Sequence, residues 1–372
     1  MPKAEIIRMK PDRGKRQDVQ VPDKKTMSVD VEDRKQLGRF CWFFLRNVLK
    51  DEEWRTRACA AWGIGLAADR LPPEWAQPAL SALTEAAADK DGFVRFWVID
   101  AIGKLGDESH IALMRSALND KDDYVRVNAA KALAQLGRPE GSQLLIHMLS
   151  QTPSMISSKE QDSRGSRRVW KLKVFAIECL GELGSLAAIP QINLMLREPQ
   201  WPIRASSAWA LGVIGDKKAV PNLRGLLHDR EKLVRVSAAE ALARLGEESG
   251  MVLLKSLLID EKKMFKYKAA ESLAKVGYKT GVVLLSEALK DSDTAIQSLA
   301  ISALGKLGDV SIIDPLSEKL DSDNWQVRSD AAIALGRIGV DHPLPLLKKK
   351  LEDPMKNVRV CSAAAILMIL GK

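Results

Sequence analysis

VRSDAAIALGRIG, from Val327 to Gly339, carries the pattern on which most of the chain is built. An apolar residue precedes a basic one. Two open positions, two alanines, a further open position and Ala-Leu follow, and a glycine closes the segment eleven residues after the basic residue. With the basic residue as anchor, the frame returns at Arg95, Arg126, Lys173, Arg204, Arg235, Lys266, Gln297, Arg328 and Arg359. Every step is 31 residues except that from 126 to 173, which is 47 and equals one repeat plus an insertion of 16. A fixed period of this kind means a stacked array of supersecondary units.

Around the anchors, positions −1, +3, +4, +7 and +10 are apolar, save for serine at +3 from Arg204 and Arg359, and share one helical face. Small alanines at +3 and +4 let neighbouring helices approach closely. Gly106, Gly137, Gly184, Gly215, Gly246, Gly277, Gly308 and Gly339 stand at +11, where a left-handed C-cap is needed. Asp89, Asp120, Asp229, Asp260, Asp291 and Asp353 stand six residues before an anchor and are expected to supply the turn and cap the helix that follows. A shorter Leu-rich helix such as AVPNLRGLL (219–227) comes first in each unit. No unit buries its apolar face alone, so the expected fold is all-α: a right-handed superhelical α-solenoid of about ten helix-turn-helix repeats.

VRVNAAKALAQLG (125–137), VRVSAAEALARLG (234–246) and VRSDAAIALGRIG, at this period, resemble the short HEAT-like repeats of the bilin lyase class. The resemblance covers residues 75 to 371. It implies a helical solenoid, and a repeat that serves lyases, scaffolds and adaptors alike.

Three segments are expected: a basic, disordered or extended arm at 1–35, an aromatic-rich helical cap at 36–74, and the array at 75–372. In the cap, Arg55 reads as a degenerate anchor, and Trp42, Trp54, Trp62 and Trp75 as core covering the open end of the stack. The insertion at about 151–168, QTPSMISSKEQDSRGSRR, reads as a basic loop, with Lys159, Arg164, Arg167, Arg168 and the nearby Lys171 facing an acidic partner, a phosphate or a membrane head group.

The formal charge is +9, of which residues 1–50 supply +6 and residues 151–173 supply +4, leaving the repeats near −1. That is not the charge of an array tracking nucleic acid along its groove. Cys41, Cys59, Cys179 and Cys361 lie far apart, as reduced thiols in a cytoplasmic protein would. Neither a signal peptide nor a transmembrane stretch is evident; the longest apolar run is Ala363 to Leu370.

His110, His147, His228 and His342 fall in different repeats without metal-ligand spacing, and phosphate loops and nucleophile elbows are absent. The sequence therefore implies no catalytic residue, metal, cofactor or small-molecule substrate. Arg95, Arg126, Arg204, Arg235, Arg328 and Arg359 read as a structural ladder, and Asp100–Lys104, Glu240–Arg244 and Glu271–Lys275 as surface pairs. The aromatic residues mostly occupy positions the frame leaves open: Phe93, Phe96, Trp97, Tyr124, Trp170, Phe175, Trp201, Trp209, Tyr267 and Trp325. Exposed rings on the second helices would line a concave groove for a protein or peptide partner with an acidic patch. The expected function is a non-catalytic scaffold or adaptor. The alternatives are a bilin lyase-like or chaperone-like protein cradling a tetrapyrrole or its acceptor, and a nucleic-acid binder using the arm and loop.

Overall fold

The structure, a computed structural model, describes residues 34–106, 108–150 and 163–371. Among the described residues are twenty α-helices and no strand. In chain order they form pairs: α1 (Arg34–Val48) with α2 (Trp54–Ala67), α3 (Pro73–Ala86) with α4 (Gly92–Leu105), α5 (Ile111–Ala117) with α6 (Asp123–Gln135), and α7 (Pro139–Ser150) with α8 (Ser163–Glu182). Next come α9 (Ile189–Met195) with α10 (Trp201–Ile214), α11 (Val220–Leu226) with α12 (Lys232–Arg244), and α13 (Glu248–Ser256) with α14 (Lys263–Lys275). The last are α15 (Lys279–Ala288) with α16 (Thr294–Leu307), α17 (Ile313–Glu318) with α18 (Trp325–Ile338), and α19 (Leu344–Lys350) with α20 (Lys356–Leu370). These pairs are the helix-turn-helix repeats of an all-α solenoid.

The frame residues do what their spacing implies. In α12, Val234, Ala238, Ala239, Ala241 and Leu242 are all buried, so the second helix of a repeat is enclosed by its own first helix and by both neighbours. Second helices approach closely where Gly212 of α10 faces α12: a Cβ on Gly212 would lie 2.5 Å from the Ala241 Cα. Gly215 ends α10 at φ +85°, in the left-handed region, as do six of the other predicted cap glycines. Gly106 is the exception: its φ is −73° and its ψ 162°, so the chain leaves α4 extended rather than doubling back.

The aspartates six residues before the anchors build the turn but do not cap. Each accepts the backbone N–H two residues on, as Asp89 does from Asp91 at 2.8 Å and Asp229 from Glu231 at 2.9 Å. Capping falls to that later residue: Asp91, Asp122, Asp293 and Asn324 accept N–H groups of the helices they begin. Gln200, Glu231 and Lys262, in the same position, make no side-chain cap.

The ladder stitches turns together. Arg204 donates to the Glu198 and Pro199 carbonyls at 2.7 and 2.9 Å and, through Nε and Nη2, to both oxygens of Asp229 in the next repeat. Arg328 binds Asp353 in the same way. Arg95, Arg126, Arg235 and Arg359 each donate to the carbonyl six residues earlier, and the neutral Gln297 keeps that bond at 2.6 Å. The first rung is Arg57, not Arg55: Arg57 donates to the Asp51 and Glu52 carbonyls and to Asp89. Arg55 instead lies over the Trp54 ring.

The chain divides into two compact units, residues 1–107 with 286–372, and residues 108–285. Within the first, α20 packs on α2 much as consecutive second helices pack elsewhere, so the expected cap covers no open end. Lys356 donates to Asp51 at 3.0 Å, Arg34 pairs with Asp341, and Arg70 donates to the carbonyls of Gly336, Arg337 and Met368. Trp42, Trp62 and Trp75 are buried there, and Trp54 is half-buried. In the second unit, α8 starts ten residues before Lys173, whereas α10 and α12 start three before their anchors. The C-terminal part of the expected loop, residues 163–168, is therefore helix. Lys159, the arm to residue 33, and the side chains of Arg164, Arg167 and Arg168 lie outside the described residues.

Candidate partner-binding surface

The rings expected in one groove sort into two environments. Phe96, Trp97, Phe175 and Tyr267 are buried, and Trp97 is only 1% exposed. Trp97 meets Trp62 at 6.1 Å and Phe96 at 4.9 Å, and Phe93 meets Trp54 at 5.8 Å, so these rings fill the joint between α2 and α4. These four are core, which corrects their assignment to an exposed groove. The reason is that position +2 still faces the preceding repeat's second helix, where Trp62 meets Trp97 and Tyr124 meets Phe175.

Phe93, Tyr124, Trp170, Trp201, Trp209 and Trp325 are half-buried. Phe93 and Trp325 belong to the first unit, the other four to the second. Tyr124 lies 6.0 Å from Phe175, and Trp209 covers Gly181 of α8, where any side chain would collide with its ring. Val213, one turn beyond Trp209, is exposed. Trp170 and Trp201 stand where α8 and α10 enter the stack, three residues before Lys173 and Arg204.

The charged residues of the second helices are not loose surface pairs. Asp100, Glu240 and Glu271 are buried. Glu240 accepts from Ser272 at 2.7 Å and pairs with Arg244 and Lys275, while Glu271 pairs with Lys268 and Lys275. Burial alone would raise the Glu271 carboxyl, but the Lys268 and Lys275 ammonium groups hold it down at about 2. These networks link α12 to α14 across the joint.

The HEAT-repeat family profile matches residues 44–115, 80–157, 167–243, 191–274, 226–291 and 250–323. The chain belongs to the HEAT-repeat family. This HEAT-repeat protein is similar in structure to the complex of CpcE and CpcF of phycocyanin lyase from Nostoc sp., at 20% identity over 68% of this chain and 93% of that one, with a TM-score of 0.45. It is also similar to human deoxyhypusine hydroxylase, at 22% identity over 72% and 98% with a TM-score of 0.36, and to an engineered protein, at 18% over 88% and 98% with a TM-score of 0.31. No curated protein matches the sequence.

Two further features of this HEAT-repeat protein escape the aromatic reading. A cleft of about 530 Å³ opens in the first unit among Arg46, Leu49, Lys50, Glu52, Glu85 and Lys90, with the Arg57–Asp89 rung in its wall and no aromatic residue lining it. In the second unit the turns before α12 and α14 read DREK and DEKK, with two cations each to balance two acids, against DSDT and SDNW, which hold acids alone, before α16 and α18. The near-neutral sum over the repeats conceals this segregation, which a turn-by-turn comparison exposes. Among the described residues no helix is long and apolar enough to cross a membrane.

Proposed function

We propose that this HEAT-repeat protein is a non-catalytic, cytoplasmic adaptor that holds a protein or peptide partner against the second helices of residues 108–285. Trp170, Trp201 and Trp209 carry the reading: three half-buried indoles on the neighbouring helices α8 and α10, with Val213 exposed beside the last. Docking removes such rings from water in a rigid setting and at small entropic cost. The four cysteines are free and buried, which suits the reducing cytoplasm.

The test compares wild type with Trp201→Ala/Trp209→Ala in a pull-down. A stoichiometric partner held by the wild type and lost from a variant of similar melting temperature supports the adaptor reading. Equal recovery by both proteins overturns it.

A further inference from the structure

We infer that the turn edge at which α10, α12 and α14 begin is a docking strip for an acidic segment of a partner protein that also carries apolar side chains. The inference rests on the adaptor reading and adds the chemistry of the partner. The edge is continuous: Lys173 pairs with Glu198, Arg204 with Asp229 and Lys232 with Asp260, each bond joining one turn to the next. On it Arg197, Arg230 and Lys262 are exposed and have no side-chain hydrogen bond or ion pair among the described residues. Beside Lys262, Ile259 is 87% and Met264 38% exposed, and Trp201 is half-buried two repeats further back along the strip.

Local stability has been given up here. A helix N-terminus carries partial positive charge and favours an acceptor or an acid. α14 departs most from this: it begins with lysine at the cap and again at the next position, where α12 has Glu231 and α10 the neutral Gln200 at the cap. Four other repeats place Asp or Asn at the cap. An anionic partner relieves the resulting repulsion. The aliphatic residues decide which anion: a nucleic-acid backbone would leave Ile259 and Met264 in water, whereas a peptide alternating acidic and apolar side chains covers both kinds of group.

The experiment is fluorescence anisotropy on the full chain with three labelled probes: a short peptide alternating glutamate and leucine, its glutamate–serine counterpart, and a single-stranded oligonucleotide of equal charge. The glutamate–leucine peptide is expected to bind tightest, and Arg197→Glu/Arg230→Glu/Lys262→Glu to weaken it by about tenfold or more. Equal affinity for wild type and variant, tightest binding of the oligonucleotide, or no binding of the glutamate–leucine peptide overturns the inference. If circular dichroism shows the triple reversal unfolded, the triple glutamine variant decides on the same criterion. A partner lost with Trp201→Ala/Trp209→Ala but retained by the charge variant leaves the adaptor standing and removes the strip.

Discussion

Lys356 donates to Asp51 across 305 residues of chain, as Lys232 donates to Asp260 of the very next repeat. Each lysine stands three residues before its anchor, and each aspartate six before the next one, Arg57 or Lys266. Asp51 thus occupies the place of the aspartate that would follow Arg359 in a longer array. The N-terminal repeat is the structural successor of the C-terminal one.

This junction couples the two ends of the chain. Arg70→Ala removes donors to three carbonyls of α18 and α20, and a loss of about 1–3 kcal/mol is expected. Hydrogen exchange should quicken together in α2 and α20. Unchanged protection of α20 in the variant would show that the ends are energetically independent.

The rung between Arg204 and Asp229 is buried on both sides. Arg204→Ala strands the carboxylate and should cost about 3–5 kcal/mol, against about 1 kcal/mol for Arg235→Ala, which donates to the carbonyls of Asp229 and Arg230. The Arg204 hydrogen bond holds the Asp229 carboxyl below its usual range. With a depressed folded value, the stabilisation is present above the unfolded pKa of about 4 and is lost as pH falls through the folded one. Chemical denaturation at stepped pH should therefore show a smaller acid loss in Arg204→Ala than in wild type.

Trp97→Ala leaves a cavity beside Trp62 and Phe96 and is expected to cost about 3–5 kcal/mol. Trp209→Ala, at a half-buried site, should cost about 1 kcal/mol. Denaturant midpoints measure both, and equal losses would contradict the assignment of Trp97 to core and Trp209 to surface.

Burial pushes the Asp330 carboxyl up to about 7, against the pull of its Ser298 hydrogen bond and of Arg337. A raised carboxyl favours the fold in its protonated form: the contribution is full below about pH 4, where the unfolded group is also protonated, and is lost as pH rises to 7. Asp330→Asn should flatten the decline in unfolding free energy between pH 4 and 7. A decline of the same slope in the variant would place its source elsewhere.

The repeats were legible because their signals are local. Arg204, Gly215 and Asp229 mark a rung, a cap and a turn at constant spacing, and each does its work inside its own repeat or the next. Arg57 was missed because its distance to Arg95 is 38 residues rather than 31. Trp97 was misread for a different reason: positions +1 and +2 vary in size because the opposing helix compensates, here through Trp62, so variability resembled exposure. The cations of the turn edge show only in a turn-by-turn comparison, and its continuity rests on the inter-repeat bonds of Lys173, Arg204 and Lys232.

By itself, the sequence determined the elements: apolar spacing made the helices, small residues let them approach, and glycine and aspartate placed the turns. Only the tertiary structure decided which repeat follows Arg359, which rings meet water, and which cations stay unpaired. A period describes contacts between neighbours in the chain. The bond from Lys356 to Asp51 joins its two ends, and no local pattern records it.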